Sequence, residues 1–201
     1  MKNLLIIIAL ALFSACTATS KLSKIGINYQ EGDDLIYEVR TKDDDNDDVK
    51  YEIELNINGV EDYYVSYDWE VFAERSGTIS MSENAINNAT KLSFFEKTGY
   101  ESLEDETTIW VSRRVFKALK SNEKIELELD ERKEIFNKTG TETYSFGDRG
   151  NGVPYNIPVI IVANPDETIE FWIADDAKNP IIVMVSMKDF SMDLMDYRLF
   201  K

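Results

Sequence analysis

The feature that most restricts the fold is an alternation of apolar and polar side chains, with a period of two, that returns along the chain. Leu35, Tyr37 and Val39 alternate with Ile36, Glu38 and Arg40, and Tyr51, Ile53, Leu55 and Ile57 alternate with Glu52, Glu54 and Asn56. Successive side chains of an extended chain point to opposite faces, so these two segments predict paired strands with one dry and one wetter face. Between them, Lys42 to Asp48 carries five aspartates whose repulsion and turn chemistry suit a solvated hairpin loop. Asn58-Gly59 is a hairpin signal, which would fold Tyr63 to Phe72 back with Tyr63, Val65, Tyr67, Trp69 and Val71 on one face.

The second half continues the pattern. Ile125, Leu127 and Leu129 alternate with acidic residues, and a turn at Glu131-Arg132 leads into Lys133 to Asn137. Asn156 to Ala163, Thr168 to Ala174, Ile181 to Met187 and Ser191 to Leu199 are four more apolar strand candidates, separated by turns at Asn164 to Glu167 and at Lys178 to Pro180. Strands joined by tight turns predict an antiparallel meander rather than parallel crossovers. Two short helices interrupt it. Ser82 to Ala89 opens on a capping serine, and Ser112 to Leu119 opens on another, with Val115, Phe116 and Leu119 on one face. The polar stretch Glu96 to Thr107 reads as a loop, followed by a brief strand from Thr108 to Val111.

Charge and chemistry narrow the function classes. The 201 residues hold 38 acidic and 22 basic side chains, a formal charge of −16 that repels phosphate backbones, so nucleic acid is not an expected partner. There is no histidine, which removes triad hydrolysis and histidine-based metal centres. Carboxylates are too abundant for any pair to stand out as a catalytic acid and base, and no cofactor motif is present, so neither a catalytic residue nor a cofactor is assigned. Asp43, Asp45 and Asp47 alternate as calcium ligands do. The central glycine and closing glutamate of an EF-hand are missing, which favours a solubilising hairpin and leaves no metal ligand assigned.

The one cysteine explains the N-terminus. Met1-Lys2-Asn3 precedes an apolar run from Leu4 to Phe13, then Ser14, Ala15 and Cys16, which is the layout of an export signal too short to span a bilayer. Leu12-Phe13-Ser14-Ala15-Cys16 resembles the lipobox of bacterial lipoproteins in its relaxed, Bacteroidetes-type form. The resemblance implies cleavage before Cys16, acylation of that cysteine and, with Thr17 next to it, residence in the outer membrane of the cell envelope. More than one acyl chain, at about 0.8 kcal/mol per buried methylene, makes such attachment stable. Residues 1–15 are then the signal, 16–29 the lipidated cysteine and a short tether, and 30–201 one β-rich domain. Loss of Lys2 with the signal takes the formal charge from −16 to −17.

Phe171-Trp172-Ile173-Ala174-Asp175-Asp176 through Pro180-Ile181-Ile182 resembles the superfamily of bacterial lipoproteins and lipoprotein-localisation factors. That resemblance implies a mainly β fold: a strongly curved antiparallel sheet, an unclosed barrel, with two short helices on its concave face. Its characterised members shelter acyl chains against apolar side chains there. The residues of this chain that fit such a role are Trp69, Phe72, Trp110, Phe116 and Trp172. Two readings stay open at this point. One is an envelope domain that binds lipid or another apolar ligand. The other is a structural or protein-interaction lipoprotein with a filled core, whose partners are other envelope proteins. They differ in whether Trp69, Trp110 and Phe116 line an empty space or fill it.

Overall fold

The computed structural model describes residues 24–25, 27–43, 45–71, 75–94, 98–129, 131–147 and 154–199. Residues 1–15, expected to be an export signal, and Cys16, Asp44 and Phe72 lie outside them.

The chain is mainly β, and its strands form one nearly closed, barrel-like sheet with a single seam. Strands β2 (Asp34–Lys42), β3 (Asp48–Val60), β4 (Tyr64–Val71) and β5 (Arg75–Ser82) follow one another as an antiparallel meander. A second meander runs through β9 (Ile125–Leu129), β10 (Arg132–Phe146), β11 (Tyr155–Ala163), β12 (Glu170–Ala174), β13 (Ile182–Met187) and β14 (Phe190–Arg198). The two join where β14 pairs antiparallel with β2, so the C-terminal strand closes against the first long one. Short strands finish the sheet: β6 (Lys91–Leu92), β7 (Gly99–Leu103) and β8 (Glu106–Thr107) at its ends, and β1 (Lys24–Ile25) beside the start of β11.

The predicted alternation is what builds the interior. Leu35, Tyr37 and Val39 of β2, Ile53, Leu55 and Ile57 of β3, and Val65, Tyr67 and Trp69 of β4 are all buried in one core. Helix α1 (Glu83–Asn88) packs on β4 and β5, α2 (Arg113–Lys120) packs on β9 and β10, and the two helices touch, so the pair bridges the two halves of the sheet. Both start as their serines predict. Ser82 Oγ accepts the Ala85 amide and Ser112 Oγ accepts the Val115 amide, each at 3.3 Å, while Lys117 and Lys120 occupy the last turn of α2, where the helix dipole favours cations. Arg113 then ties the start of α2 to three neighbours, donating to Asp62 O at 2.9 Å, Asn87 Oδ1 at 3.0 Å and Lys178 O at 3.2 Å.

Four local expectations are corrected. Asn58-Gly59 does not make the turn: β3 runs on to Val60, a register shift falls between Ile57 and Gly59, and the chain reverses at residues 61–63, where the Glu61 amide donates to Tyr64 O. The Glu96 to Thr107 stretch contains β7 and β8, because β5 and β6 supply backbone partners that polar side chains alone do not reveal. Pairing is also not wholly antiparallel, since β7 lies parallel to β5, β1 to β11, and β6 to both β8 and β9.

The fourth correction shapes the interior. Thr108 to Val111 is not a ladder strand but makes one bridge, Trp110 to Ile181. Strand β14 pairs with β13 only from Phe190 to Asp193, which leaves the start of β13 without it. The 109–111 segment takes that place: the Val111 amide donates to Pro180 O at 2.9 Å and the Ile182 amide to Ile109 O at 2.7 Å. At the edge of its bulge, β14 receives the Tyr144 hydroxyl on Leu194 O at 2.9 Å. Buried backbone groups need partners, and this exchange supplies them while carrying Trp110 inward.

Candidate functional site: the interior and the clefts around it

Three of the five candidate ligand-binding residues lie in the interior. Trp69, Trp110 and Phe116 are each no more than 2% exposed and belong to one core cluster. Trp110 stacks on Tyr67 with ring centroids 5.7 Å apart and an interplanar angle of 23°, and meets Tyr29 edge-on at 6.0 Å. Such offset and T-shaped pairs are the preferred arrangements of aromatic rings. The Tyr67 hydroxyl is hydrogen-bonded to Thr108 Oγ1, and Tyr37 donates to Ile182 O at 2.9 Å. Burial pushes both phenols up from their ordinary pKa, so they stay neutral. Phe116 lies beneath the Lys120 ammonium, 5.7 Å from its ring centroid, and Phe136 stacks on Phe171 at 5.2 Å.

Trp172 is elsewhere. In register it lies between Ile161 and Met184, on the row that continues to Asp193, while its neighbour Phe171 is on the row of Val162, Val185 and Met192. Its indole donates to Glu170 Oε1 at 2.7 Å and meets the Tyr144 ring edge-on at 6.1 Å. The fifth candidate, Phe72, lies outside the described residues.

Two clefts open at the surface. One of about 680 Å³ is lined by Asp34, Glu54, Asn56, Asp68, Glu70, Ser76, Thr78 and Tyr100, with Trp69, Gly77 and Gly99 at its floor. A second, of about 380 Å³, lies at the other end of β2 and β3 among Arg40, Lys42, Lys50, Lys188, Met187 and Phe190. Its cations are engaged: Arg40 and Lys50 hold Glu38 at 2.6 and 2.7 Å, and Lys42 holds Asp48 at 2.5 Å. Lys50 first, with Arg40, keeps the Glu38 carboxyl below its usual range against the opposing effect of burial. Across the strand pair, burial and the charge of Glu38 raise Asp193. Beside the incoming chain, a small space of about 70 Å³ lies among Ile27, Tyr29, Ile157, Pro158 and Ala174.

In the acidic hairpin, Asp43 Oδ1 accepts the amides of Asp45 at 3.0 Å and Asp47 at 2.9 Å, and Asn46 adopts a positive φ of 64°. That carboxylate organises the turn itself. Among the described residues there is no group of three acidic, cysteine or histidine side chains placed to hold a metal ion. No described helix is long and apolar enough to cross a membrane.

Sequence reasoning missed Tyr67 and Tyr37 as the polar pins of the interior, although the inward parity of both was already visible. It also missed the cleft of Asp34, Asp68 and Glu70, whose rows exist only once β2, β3, β4 and β5 are set in register. Compared with protein-family models, curated proteins and solved structures, the chain matches none of them.

Proposed function

We propose that this chain is an acylated envelope lipoprotein whose domain serves as a protein-interaction module with a filled core, not as a carrier of acyl chains. The observation that carries the reading is the stack of Trp110 on Tyr67, with Phe116 also buried in the same core. A carrier of the kind this chain resembles keeps apolar space between sheet and helices for its cargo. Here buried aromatic rings fill the core, Phe116 of α2 among them, and the clefts carry charged side chains that suit partners on the surface, the second beside Val49, Met187 and Phe190.

Attachment falls to Cys16, whose sulfur receives diacylglycerol before the signal is cut and which is then placed in the outer membrane. At about 3.3–3.6 Å per residue, the nine or so residues from Cys16 to β1 let the domain stand at most about 30 Å from its anchor. The negative domain is repelled by an anionic lipid surface, so the acyl chains and not electrostatics hold it there.

Replacing Cys16→Ser in the full chain is expected to abolish incorporation of an alkyne-tagged fatty acid and to shift the protein from the membrane to the soluble fraction. A wild-type chain that takes up no label, or a C16S chain that stays in the membrane fraction, contradicts the anchor.

A further inference from the structure

On the polar face of the sheet, five side chains fall in one register row across five strands: Asp34, Asn56, Asp68, Thr78 and Tyr100. The row is bonded to itself, with Asn56 Nδ2 donating to Asp34 Oδ1 at 2.7 Å and Thr78 Oγ1 to Asp68 Oδ1 at 2.6 Å. The next row sets Glu54 directly opposite Glu70. Like charges facing each other on neighbouring strands destabilise a sheet. Arg198 stands 3.6 Å from Glu54, but among the described residues no cation pairs with Glu70.

Among the described residues this acidic face ends at a strand edge. Among the described residues β7 has one strand neighbour, β5, so alternate residues of Gly99–Leu103 turn their amide and carbonyl groups away from the sheet. Exposed edges are normally blunted by lysine, proline or charge pointing inward. The sequence of β7, Gly-Tyr-Glu-Ser-Leu, has no lysine and no proline; its one charge, Glu101, lies in register with the buried Ile79, where it disfavours an apolar strand but suits a basic one, and Tyr100 is 70% exposed on the other face. The edge is also closely seated: a Cβ on Gly77 would stand 2.6 Å from Gly99 O and 2.7 Å from Trp69 Nε1, so only glycine lets β7 approach here. Gly99 itself starts the strand at a φ of +97°, a conformation open to glycine.

We propose that the edge of β7, with the acidic cleft beside it, docks an extended segment of a partner protein that carries arginine or lysine at alternate positions. The proposal rests on the interaction-module reading above and names its surface and its partner. The segment adds a strand to β7, with backbone hydrogen bonds giving affinity and every second side chain lying over the cleft. Three strand spacings of about 4.8 Å separate an added strand from β4. A long basic side chain on one and the carboxylates of Asp68 and Glu70 on the other bring the charges inside the Debye length of about 8 Å. Tyr100 offers an exposed ring for an arginine at the near end.

The test uses the full chain in detergent and a nine-residue peptide alternating arginine with threonine, read by fluorescence anisotropy and by amide hydrogen exchange. Binding is expected to protect the amides of Gly99–Leu103 and to weaken with salt. A Glu54→Gln, Glu70→Gln double variant keeps the shape, relieves the like-charge opposition and so folds at least as well, and is expected to bind roughly tenfold more weakly. Replacing two of the threonines by proline, which removes strand-forming amides but no charge, is expected to abolish β7 protection and most of the affinity. Equal binding of the proline peptide, an unprotected β7, an unchanged affinity in the double variant, or no binding each overturns the proposal. A failed interaction-module reading shows differently, as stoichiometric lipid bound by the same preparation.

Discussion

Trp110→Ala is expected to destabilise the domain by about 3–5 kcal/mol, the range for removing a large aromatic side chain from a packed core. Trp110 is 2% exposed, stacked on Tyr67 and edge-on to Tyr29, and its backbone bridges to Ile181 where β13 lacks β14. Its side chain therefore belongs to the joint between the two halves of the sheet. Truncation leaves a cavity walled by aromatic rings, and apolar cavities of this kind stay dry and accept small aromatic molecules. Denaturant titration is the direct measurement, with the loss appearing as a lower midpoint at unchanged slope. Added indole should recover part of the loss by filling the hole. A cost below about 1 kcal/mol, within the reach of an ordinary surface substitution, would mean that the ring is not packed as described.

The second large effect is expected at the place where the N-terminal segment, residues 27–33, meets the sheet. Tyr197 on β14 donates its hydroxyl to the Asp33 carboxylate and lies 3.1 Å from Asn28 O, while Asp33 Oδ2 also accepts the Gln30 amide at 3.0 Å. Asp33 is wholly buried, and the Tyr29 ring packs edge-on to Tyr197 at 6.2 Å. Tyr197→Phe removes one hydroxyl and no ring, so the aromatic contacts survive while a hydrogen bond to a buried charge is lost. Such bonds are worth about 1.5–3 kcal/mol, and that is the expected loss of stability. Hydrogen exchange should rise in residues 27–33 before it rises in β3 or β4. Uniformly faster exchange over all strands, or none, would show that this contact does not hold the incoming chain to the sheet.

Much of the fold was legible because burial follows strand parity. The inward faces of β2, β3 and β4 and the caps of α1 and α2 can be read from single residues. What stayed hidden depends on partners distant in sequence. The four residues from Thr108 to Val111 carry a strand pattern, yet become an inserted segment because β13 is left open by β14. Asn58-Gly59 has the composition of a turn but sits at a register shift, because β3 continues to pair with β4 as far as Val60. The parallel pairing of β7 with β5 leaves no local mark, since polar residues serve on an edge as well as in a loop.

The candidate site divides in the same way. Trp69, Trp110 and Phe116 were recognisable as large apolar groups that must lie inside, but whether they line or fill the interior is a question of depth and stacking, which spacing does not encode. Trp172 shows the limit of composition: Phe171 and Trp172 are adjacent, and strand alternation sends one into the core and the other to the face where Glu170 accepts its indole proton. The opposition of Glu54 and Glu70 is a fact of register alone.

The most direct test of a filled interior is native mass spectrometry of the full-length protein extracted from its own membranes and stripped of detergent in the gas phase. The expected spectrum holds one species, the processed chain with its covalent acyl groups. A one-to-one complex with an additional, non-covalently held acyl lipid that survives the removal of detergent would contradict it and restore the carrier reading.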